Sequence, residues 1–332
     1  MAMAALGCEH TTPFSFDKDV STTPLQKGDP VRLTYNPGLD TRASWLPDGS
    51  AFLYTQEQLG RPDRDQCIAV MPGTGGTITR LVCADSDVAA DSVNVLLAPA
   101  VSPEGRLAYL RTSTLANRGR PTPDRAGVVL ATYAAPQPGT VIQSLPYFSP
   151  DSQPVDMVSD IHWAAGSVLF YLADHFQIVC LNMSCTVADT SLTGLEVDRI
   201  VLAPSGPILT AVPGTVGATA LAIAGPDTVF FALAGSGKVH RLVVGAPADS
   251  VIFTFSGPVT GMSAASGRLV AAVGGTLHLL TLATAADSVL LVPGLTDIMD
   301  HPALDPTGHF LIADVTDTST GLPPDLWLWR IP

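Results

Sequence analysis

Aspartate and histidine occur close together at three points of the chain, and such pairs can support acid–base chemistry or bind a metal ion. The three pairs are Asp160/His162, Asp174/His175 and Asp300/His301. A histidine beside an aspartate in a β-loop is more commonly a structural hydrogen bond or a solvated pair. The sequence therefore predicts no catalytic residue and no metal ligand at these positions, and an axial catalytic or metal site is the alternative that it leaves open.

Sequence motifs for other chemistries are missing. The chain has neither a Gly-x-Ser-x-Gly nucleophile elbow nor a His-Glu-x-x-His zinc motif. Residues 232–239 resemble a phosphate-binding loop, but Ala232 stands where the first glycine belongs and Val239 where Ser or Thr must hold magnesium. We interpret this segment as a β-hairpin and predict no cofactor.

Four of the five cysteines have spacings that fit cross-strand disulfides. Cys67 and Cys83 flank two strand-like runs around a glycine-rich turn, and Cys180 and Cys185 flank a tight turn. Because directly opposed residues of an antiparallel pair lie close enough for a disulfide, we predict the bridges Cys67–Cys83 and Cys180–Cys185. Disulfides indicate an oxidising compartment. Four buried free thiols are the alternative, and the spacings do not fit a zinc site.

The fifth cysteine, Cys8, follows Ala5-Leu6-Gly7, which is close to the cleavage site of a bacterial lipoprotein signal. We predict that Cys8 carries a lipid anchor and that residues 1–29 are a tether, with residues 30–332 forming one domain. The segment before Cys8 is short and has no basic n-region. A chance match is therefore the alternative.

Arginines concentrate in two loops that we place between the second and third strands of repeated units. Their positions are Arg61, Arg64, Arg118, Arg120 and Arg125, which are five of fourteen arginines. The equivalent loop near the end of the chain spans residues 317–325. Because arginine suits bidentate contacts with carboxylates and phosphates, we predict a docking surface for a protein partner or for lipid headgroups. Solvated loops without a partner are the alternative.

The composition limits the architecture that can present these residues. The 332 residues include only three lysines and four glutamates, which normally dress solvated helix faces. An all-α and a doubly wound α/β fold are thus excluded, and 46% apolar residues exclude disorder. The net charge of −13 disfavours nucleic acid, and no apolar run approaches the roughly 20 residues of a membrane-spanning helix.

One unit recurs along the chain: an apolar run, a turn with glycine, and a second apolar run. Its clearest copy is Ala43–Tyr54, with the turn Pro47-Asp48-Gly49. The glycines that anchor the copies are Gly49, Gly105, Gly166, Gly206, Gly267 and Gly308. Each copy is a hairpin signal, and two more strands usually follow, so that each unit predicts a four-stranded blade of an all-β propeller.

The Trp-Leu-Pro-Asp-Gly-Ser stretch and its echoes resemble the repeat of TolB-like β-propellers, periplasmic relatives of the WD-type propellers. The resemblance covers residues 30–332 and implies six blades. Seven blades are the alternative, because residues 207–257 contain additional strand-like runs that suggest a further blade or an enlarged fourth one. The last unit has only three strands, so we predict that residues 30–35 complete it and close the ring.

These observations predict a non-catalytic, extracytoplasmic propeller that stabilises a larger membrane-associated protein complex. An envelope complex of the Tol–Pal kind is the partner that the resemblance implies. An extrinsic subunit of a respiratory or photosynthetic complex is equally compatible. The alternative from another class is a propeller hydrolase or lyase with an axial active site, which would show convergent, perturbed His and Asp side chains in the central funnel.

Overall fold

The computed structural model describes residues 30–35, 38–57, 66–83, 92–115, 125–144, 157–180, 188–290 and 297–331. In these segments all regular structure is β-strand, arranged as six antiparallel sheets of four strands each. The fold is a six-bladed β-propeller, as predicted. A helix long and apolar enough to cross a membrane is not found among these residues.

We number the blades 1 to 6. In blades 1 to 5 the strands run from the ring axis outwards in chain order, and in blade 6 the N-terminal strand β1 is the outermost. Blades 1 to 3 consist of β2 (Asp40–Trp45), β3 (Ala51–Glu57), β4 (Gln66–Pro72) and β5 (Thr79–Cys83); β6 (Ser92–Val101), β7 (Arg106–Leu115), β8 (Arg125–Thr132) and β9 (Ala135–Ser144); and β10 (Met157–Ala165), β11 (Val168–Cys180), β12 (Ala188–Ala203) and β13 (Gly206–Ala211). Blades 4 to 6 consist of β14 (Ala218–Ile223), β15 (Thr228–Leu233), β16 (Lys238–Val243) and β17 (Ser250–Thr254); β18 (Val259–Ala265), β19 (Arg268–Val273), β20 (Thr276–Thr281) and β21 (Ala286–Val289); and β22 (Asp297–Leu304), β23 (Phe310–Asp317), β24 (Asp325–Arg330) and β1 (Pro30–Arg32).

The apolar runs of the second strands fold this way because they are covered on both faces. In β3, for example, Phe52, Leu53 and Tyr54 are all fully buried. A single blade cannot cover both faces of such a strand, but neighbouring blades on either side can. The six hydrophobic clusters accordingly lie between successive blades, one for each contact around the ring.

The ring is closed where blade 6 meets blade 1. The N-terminal strand β1 pairs with β24 in antiparallel register, with Val31 opposite Leu328, as the sequence predicted. Arg32 also forms a salt bridge with Asp325. The apolar cluster between the two blades packs Trp45, Phe52, Tyr54, Ala69 and Met71 against Ala303, Ile312, Leu326 and Leu328.

The number of blades was predicted correctly, but one repeat was misplaced. The copy around Gly206 is the turn between β12 and β13, the two outer strands of blade 3. Blade 4 begins at Ala218, so residues 218–254 are neither a seventh blade nor an enlargement. The error arose because a turn glycine at positive φ, such as Gly206 at φ 117°, marks any tight hairpin and not only the first one of a blade.

Turns of neighbouring blades are also tied together by side chains that follow the repeat. Arg106 donates a hydrogen bond from Nη1 to the carbonyl of Gly166 over 3.0 Å, which links blade 2 to blade 3. Arg268 makes the same contact with Gly308 over 2.8 Å, linking blade 5 to blade 6. These arginines therefore stabilise the side of the ring opposite the predicted arginine-rich loops.

One of the two predicted disulfides is confirmed. Cys67 and Cys83 lie directly opposite each other on β4 and β5 and form a disulfide. Cys180 ends β11 opposite Ala188, whereas Cys185 lies outside the described residues. The bridge Cys180–Cys185 therefore stays a prediction, as does the lipid anchor at Cys8, which also lies outside them.

Removing the disulfide of blade 1 should destabilise the ring. A disulfide closing a loop of this length, with a separation of 16 residues, stabilises a protein by about 3 kcal/mol. The double variant Cys67→Ser/Cys83→Ser should lose about that free energy of unfolding in urea titrations. Reduction of the wild type should cause at least a similar loss, and reduction of the variant should cost less than reduction of the wild type. Labelling of Cys67 by iodoacetamide without prior reduction would contradict the bridge.

Candidate functional site

A cavity of about 510 Å³ lies on the axis of the ring and is lined mainly by the inner strands of the blades. The ionisable side chains in its wall are Arg42, Asp160, His162 and His301. Blades 1, 3 and 6 supply them. The axis therefore holds charged groups, and two of the three Asp/His pairs named from the sequence lie at or beside it.

Every inner strand contains at least one extra residue relative to the second strand of its blade, and β10 contains a further one at Ala164. In blades 3, 4 and 5 the extra residue is Ser159, Thr219 or Thr260. In blades 6, 1 and 2, two consecutive residues of the inner strand lie opposite a single residue of the second strand. The first of these two residues is His301 in blade 6, Arg42 in blade 1 and Ala98 in blade 2. Such β-bulges redirect a side chain out of the regular alternation of a strand, and here they occur around the axial cavity.

Backbone strain accompanies the bulges of blades 6, 1 and 2. His301, Arg42 and Ala98 have φ angles of 45°, 56° and 49°. This left-handed region costs a non-glycine residue roughly 1–2 kcal/mol. All three residues line the cavity. Strained residues concentrate at functional sites, so the position of these three points to a site on the axis.

His301 is held by the buried carboxylate of Asp314, which lies on β23 behind it. Its Nδ1 is 2.8 Å from Asp314 Oδ2. Asp314 also accepts hydrogen bonds from the hydroxyl of Thr41 and from the backbone N–H of Arg42 on blade 1. Burial and, less strongly, the positive charge of Arg42 lower the pKa of His301. Asp314 and, less strongly, Asp300 raise it, and because their effect is the larger one, the pKa of His301 is raised.

A second charged pair faces the cavity from blade 3. Nε2 of His162 lies 3.0 Å from Asp160 Oδ2, although its alignment is too poor for a hydrogen bond. Burial opposes the charge on Asp160, but His162, and beyond it Arg42 and His301, lower the pKa of Asp160. The pKa of His162 is raised in turn, because Asp160 outweighs the burial of the imidazole ring. Both groups therefore favour their charged forms.

Asp300 supports the same region from behind the cavity wall. Its Oδ1 accepts hydrogen bonds from the hydroxyl of Thr260 and from the backbone N–H of His301. A Cβ atom at Gly261 would come within 2.9 Å of this oxygen and 3.0 Å of Pro302 Cδ. Glycine at this position thus allows blades 5 and 6 to approach closely beside His301.

The far end of the cavity is apolar. Trp45 and Trp163 occupy equivalent places near the ends of β2 and β10, and both line the cavity. Their indole N–H groups donate hydrogen bonds to the carbonyls of Ala303 and Ala100 on the preceding blades, over 2.9 and 3.0 Å. Each tryptophan therefore links two blades and gives the cavity an apolar wall.

Two of the four ionisable residues of the cavity wall, Arg42 and Asp160, lie toward one side of the ring, which we call the strand-entry side because the inner strands begin there. His162 and His301 lie just past the middle of their strands. Arg42, Asp160 and Asp300 all belong to the first half of their strands. In an antiparallel blade the loops between the second and third strands emerge on the same side. The predicted arginine-rich loops therefore share one face with Arg42 and Asp160.

The loop arginines themselves are placed only in part. Arg61, Arg64, Arg118 and Arg120 lie outside the described residues, and Arg125 begins β8 opposite Ser113. Blade 1 packs between blades 6 and 2, as the sequence predicted. The loops of these blades are therefore neighbours in the ring, and the docking surface stays a prediction.

The other candidate residues and segments named from the sequence do not lie on the inner strands that line the cavity. Asp174 and His175 belong to β11, a second strand, and their side chains are not among those described. The segment that resembles a phosphate loop contains the turn between β15 and β16, as the hairpin interpretation predicted. Within the described segments, no three His, Cys, Asp or Glu side chains are grouped as metal ligands.

Two important residues were not identified from the sequence. Arg42 immediately precedes the first repeat, which starts at Ala43, and Asp314 immediately follows the apolar run of residues 310–313, but neither was singled out. Asp314 reaches Arg42 across 272 positions of the chain. The only local signal was an ionisable residue inside an apolar run, which does not reveal its partner.

These features define a six-bladed β-propeller with a charged, strained axial cavity. Its fold is TolB-like: the structure of TolB from Acinetobacter baumannii superposes with a TM-score of 0.53 at 13% identity, over 85% of this chain and 63% of that one. This chain thus spans less than two thirds of the TolB structure. A calcium-binding regucalcin from Agrobacterium tumefaciens matches with a TM-score of 0.57 at 12% identity, over 90% and 92% of the chains.

A third similar structure is an oligogalacturonate lyase in complex with manganese, with a TM-score of 0.53 at 10% identity over 91% and 93% of the chains. No family model and no curated protein matches the sequence. At such low identity the three similarities show the fold alone. The function has to be argued from the side chains of this chain.

The raised pKa of His301 predicts a pH-dependent contribution to stability. The charged pair with Asp314 stabilises the fold fully below the ordinary histidine pKa of about 6.5, and this stabilisation is lost as the pH rises through the raised pKa of the folded state. The variant His301→Asn keeps a residue that tolerates positive φ but removes the charge. Its deficit in unfolding free energy should be largest in mild acid and shrink in alkali.

Urea titrations across this pH range, with an NMR titration of His301, test this prediction. The matched control is His309→Asn, which changes an exposed histidine away from the cavity and should show no such trend. A deficit that stays constant with pH would contradict the assignment of the charge to His301.

Proposed function

We propose that this protein is a non-catalytic, extracytoplasmic propeller that binds a membrane-associated protein complex through its strand-entry side. The observation that carries this proposal is the concentration of unusual features on that side. Arg42 and Asp160 lie in the entry halves of their strands, and the loops between second and third strands belong to the same side. The opposite side consists of short turns tied together by Arg106 and Arg268.

The expected compartment is periplasmic or otherwise extracytoplasmic. The disulfide Cys67–Cys83 supports an oxidising environment. A lipid at Cys8, with residues 1–29 as a tether, would keep the propeller near a membrane and raise its effective concentration at a membrane partner. The TolB-like fold supports an envelope complex as the partner, and an extrinsic subunit of a respiratory or photosynthetic complex is the other form of this proposal.

A second candidate function is a hydrolase or lyase with its active site on the axis. The specific observation in its favour is the pair of imidazoles, His162 and His301, each beside a carboxylate and each with a raised pKa. Perturbed titratable groups in a cavity are what acid–base catalysis requires. The lyase that shares the fold adds a precedent for the architecture, not for the reaction.

Site-specific photo-crosslinking tests which side binds the partner. A benzophenone side chain at Leu322 or Val216, both exposed on the strand-entry side, should crosslink to one defined membrane-complex subunit in the native host. The matched control at Ala283, exposed in a turn of the opposite side, should not. Adducts of equal yield from both sides, or none from the entry side, would contradict the proposed docking surface.

Substitution of the axial residues separates the two candidates. The variant Asp160→Asn/His162→Gln/Asp300→Asn/His301→Asn should still form the adduct at Leu322 and restore the phenotype of a deletion strain, because a scaffold needs no acid–base groups. Circular dichroism and thermal unfolding check that it folds. A folded variant that forms the adduct but fails to restore the phenotype would favour the enzyme.

A further inference from the structure

We propose that the axial cavity binds a carboxylate group that is joined to an apolar body. This inference concerns a ligand site and does not depend on the docking surface proposed above. It follows from the basic side chains in the cavity wall, the donor that His301 offers to a ligand, and the apolar side chains in the same wall.

The wall of the cavity is basic in a protein that is acidic overall. Its ionisable side chains are three basic ones, Arg42, His162 and His301, against the single acid Asp160. The whole chain carries a net charge of −13. The other acids near His301, Asp300 and Asp314, are not part of the wall. An anion in the cavity would therefore meet three basic side chains and one acidic one in the wall, with the carboxylates of Asp314 and Asp300 behind His301.

His301 has a donor to offer to such an anion. Its Nδ1 is engaged with Asp314, which leaves Nε2 as the nitrogen for a ligand in the cavity that the ring lines. This is the arrangement in which a carboxylate orients an imidazole and stabilises its charged form. His162 also lines the cavity, but its buried Nε2 lies 3.0 Å from Asp160 Oδ2, so it contributes charge to the wall and not a second donor.

The size and the far wall of the cavity favour a small organic acid over an inorganic anion. The volume of about 510 Å³ lies within the usual 300–1,000 Å³ range of small-molecule sites. Trp163, Met262 and Pro306 also line its wall. A carboxylate at His301 would thus leave an aliphatic or aromatic portion in contact with apolar side chains.

A protein-bound metal ion is a poorer match to the same residues. Cations are held by several converging Asp, Glu, His or Cys ligands. Among the residues with described positions, no group of three such side chains forms. Arg42 in the wall would also repel a cation that approached Asp160.

Calorimetric titration of the full-length protein with three matched probes tests the proposal. The probes are 4-phenylbutyrate, the neutral 4-phenylbutan-1-ol and the cationic 4-phenylbutylamine, at about pH 6, where imidazoles beside carboxylates are charged. The acid should bind at one site, and the alcohol and the amine should bind at least tenfold more weakly. Equal binding of the alcohol, preference for the amine, or no binding of the acid would overturn the proposal.

The variant His301→Asn localises the binding. It should weaken phenylbutyrate binding about tenfold or more, because a charged hydrogen bond is lost, while His309→Asn should bind like the wild type. Thermal unfolding verifies that both variants fold. Affinity for phenylbutyrate should also fall as the pH rises through the raised pKa of His301, a group surrounded by Asp314, Asp300, Arg42 and Asp160. Unchanged binding in His301→Asn would overturn the assignment.

A fourth probe distinguishes the two sources from which the carboxylate could come. The peptide acetyl-Leu-Ala-Asp-amide presents an acidic side chain as a partner protein would. Tighter binding of phenylbutyrate than of the peptide would identify a free organic acid as the ligand. Tighter binding of the peptide would identify an acidic segment of a partner protein. These titrations use the purified protein alone, so their failure would leave the crosslinking test of the docking surface unaffected.

Discussion

The contact between the last blade and the first is the interaction on which the rest of the structure depends. An apolar cluster fills the contact, β1 adds a strand to blade 6, and Asp314 reaches from blade 6 to Thr41 and Arg42 on blade 1. Each blade is covered on both faces only while this contact holds, because an open ring would expose two apolar sheet faces to water. Asp314 also holds His301, so closure of the ring and order in the cavity depend on the same carboxylate.

The bulges explain how a repetitive fold produces one asymmetric site. Six positions around the axis are equivalent. In each blade, one residue of the inner strand pairs with the second residue of the second strand, and the equivalent position lies three residues before it in the chain. The residues at these positions are Arg42, Ala98, Asp160, Ala220, Gly261 and His301. Three are charged or titratable and three are small. Repetition therefore provides the frame, and the departures from repetition provide the chemistry.

The fold could be predicted from the sequence because its determinants are local. Turn residues and apolar runs indicated six blades, the incomplete last unit indicated closure by the N-terminal strand, and the spacing of Cys67 and Cys83 indicated a bridge between neighbouring strands. The copy around Gly206 was misplaced because a glycine turn has the same local sequence pattern in every hairpin of a blade, so it does not show which two strands it joins. Asp160, His162, Asp300 and His301 were noticed by residue type, whereas the role of Asp314 depends on a contact across the closed ring that no local pattern encodes.

The strain at Arg42 and His301 favours a function on the axis over a purely architectural explanation. A bulge that served only to bend the inner strands could use glycine, which adopts positive φ without steric cost, as it does at Gly49 and Gly105 in the turns of the same blades. Blade 2 shows that alanine is also accommodated at this position, with Ala98 at φ 49°. A long cationic side chain and an imidazole at the strained positions add nothing to the bend itself. Both side chains line the cavity, where a ligand would contact them in addition to the partners that they have within the protein, such as Asp314 for His301.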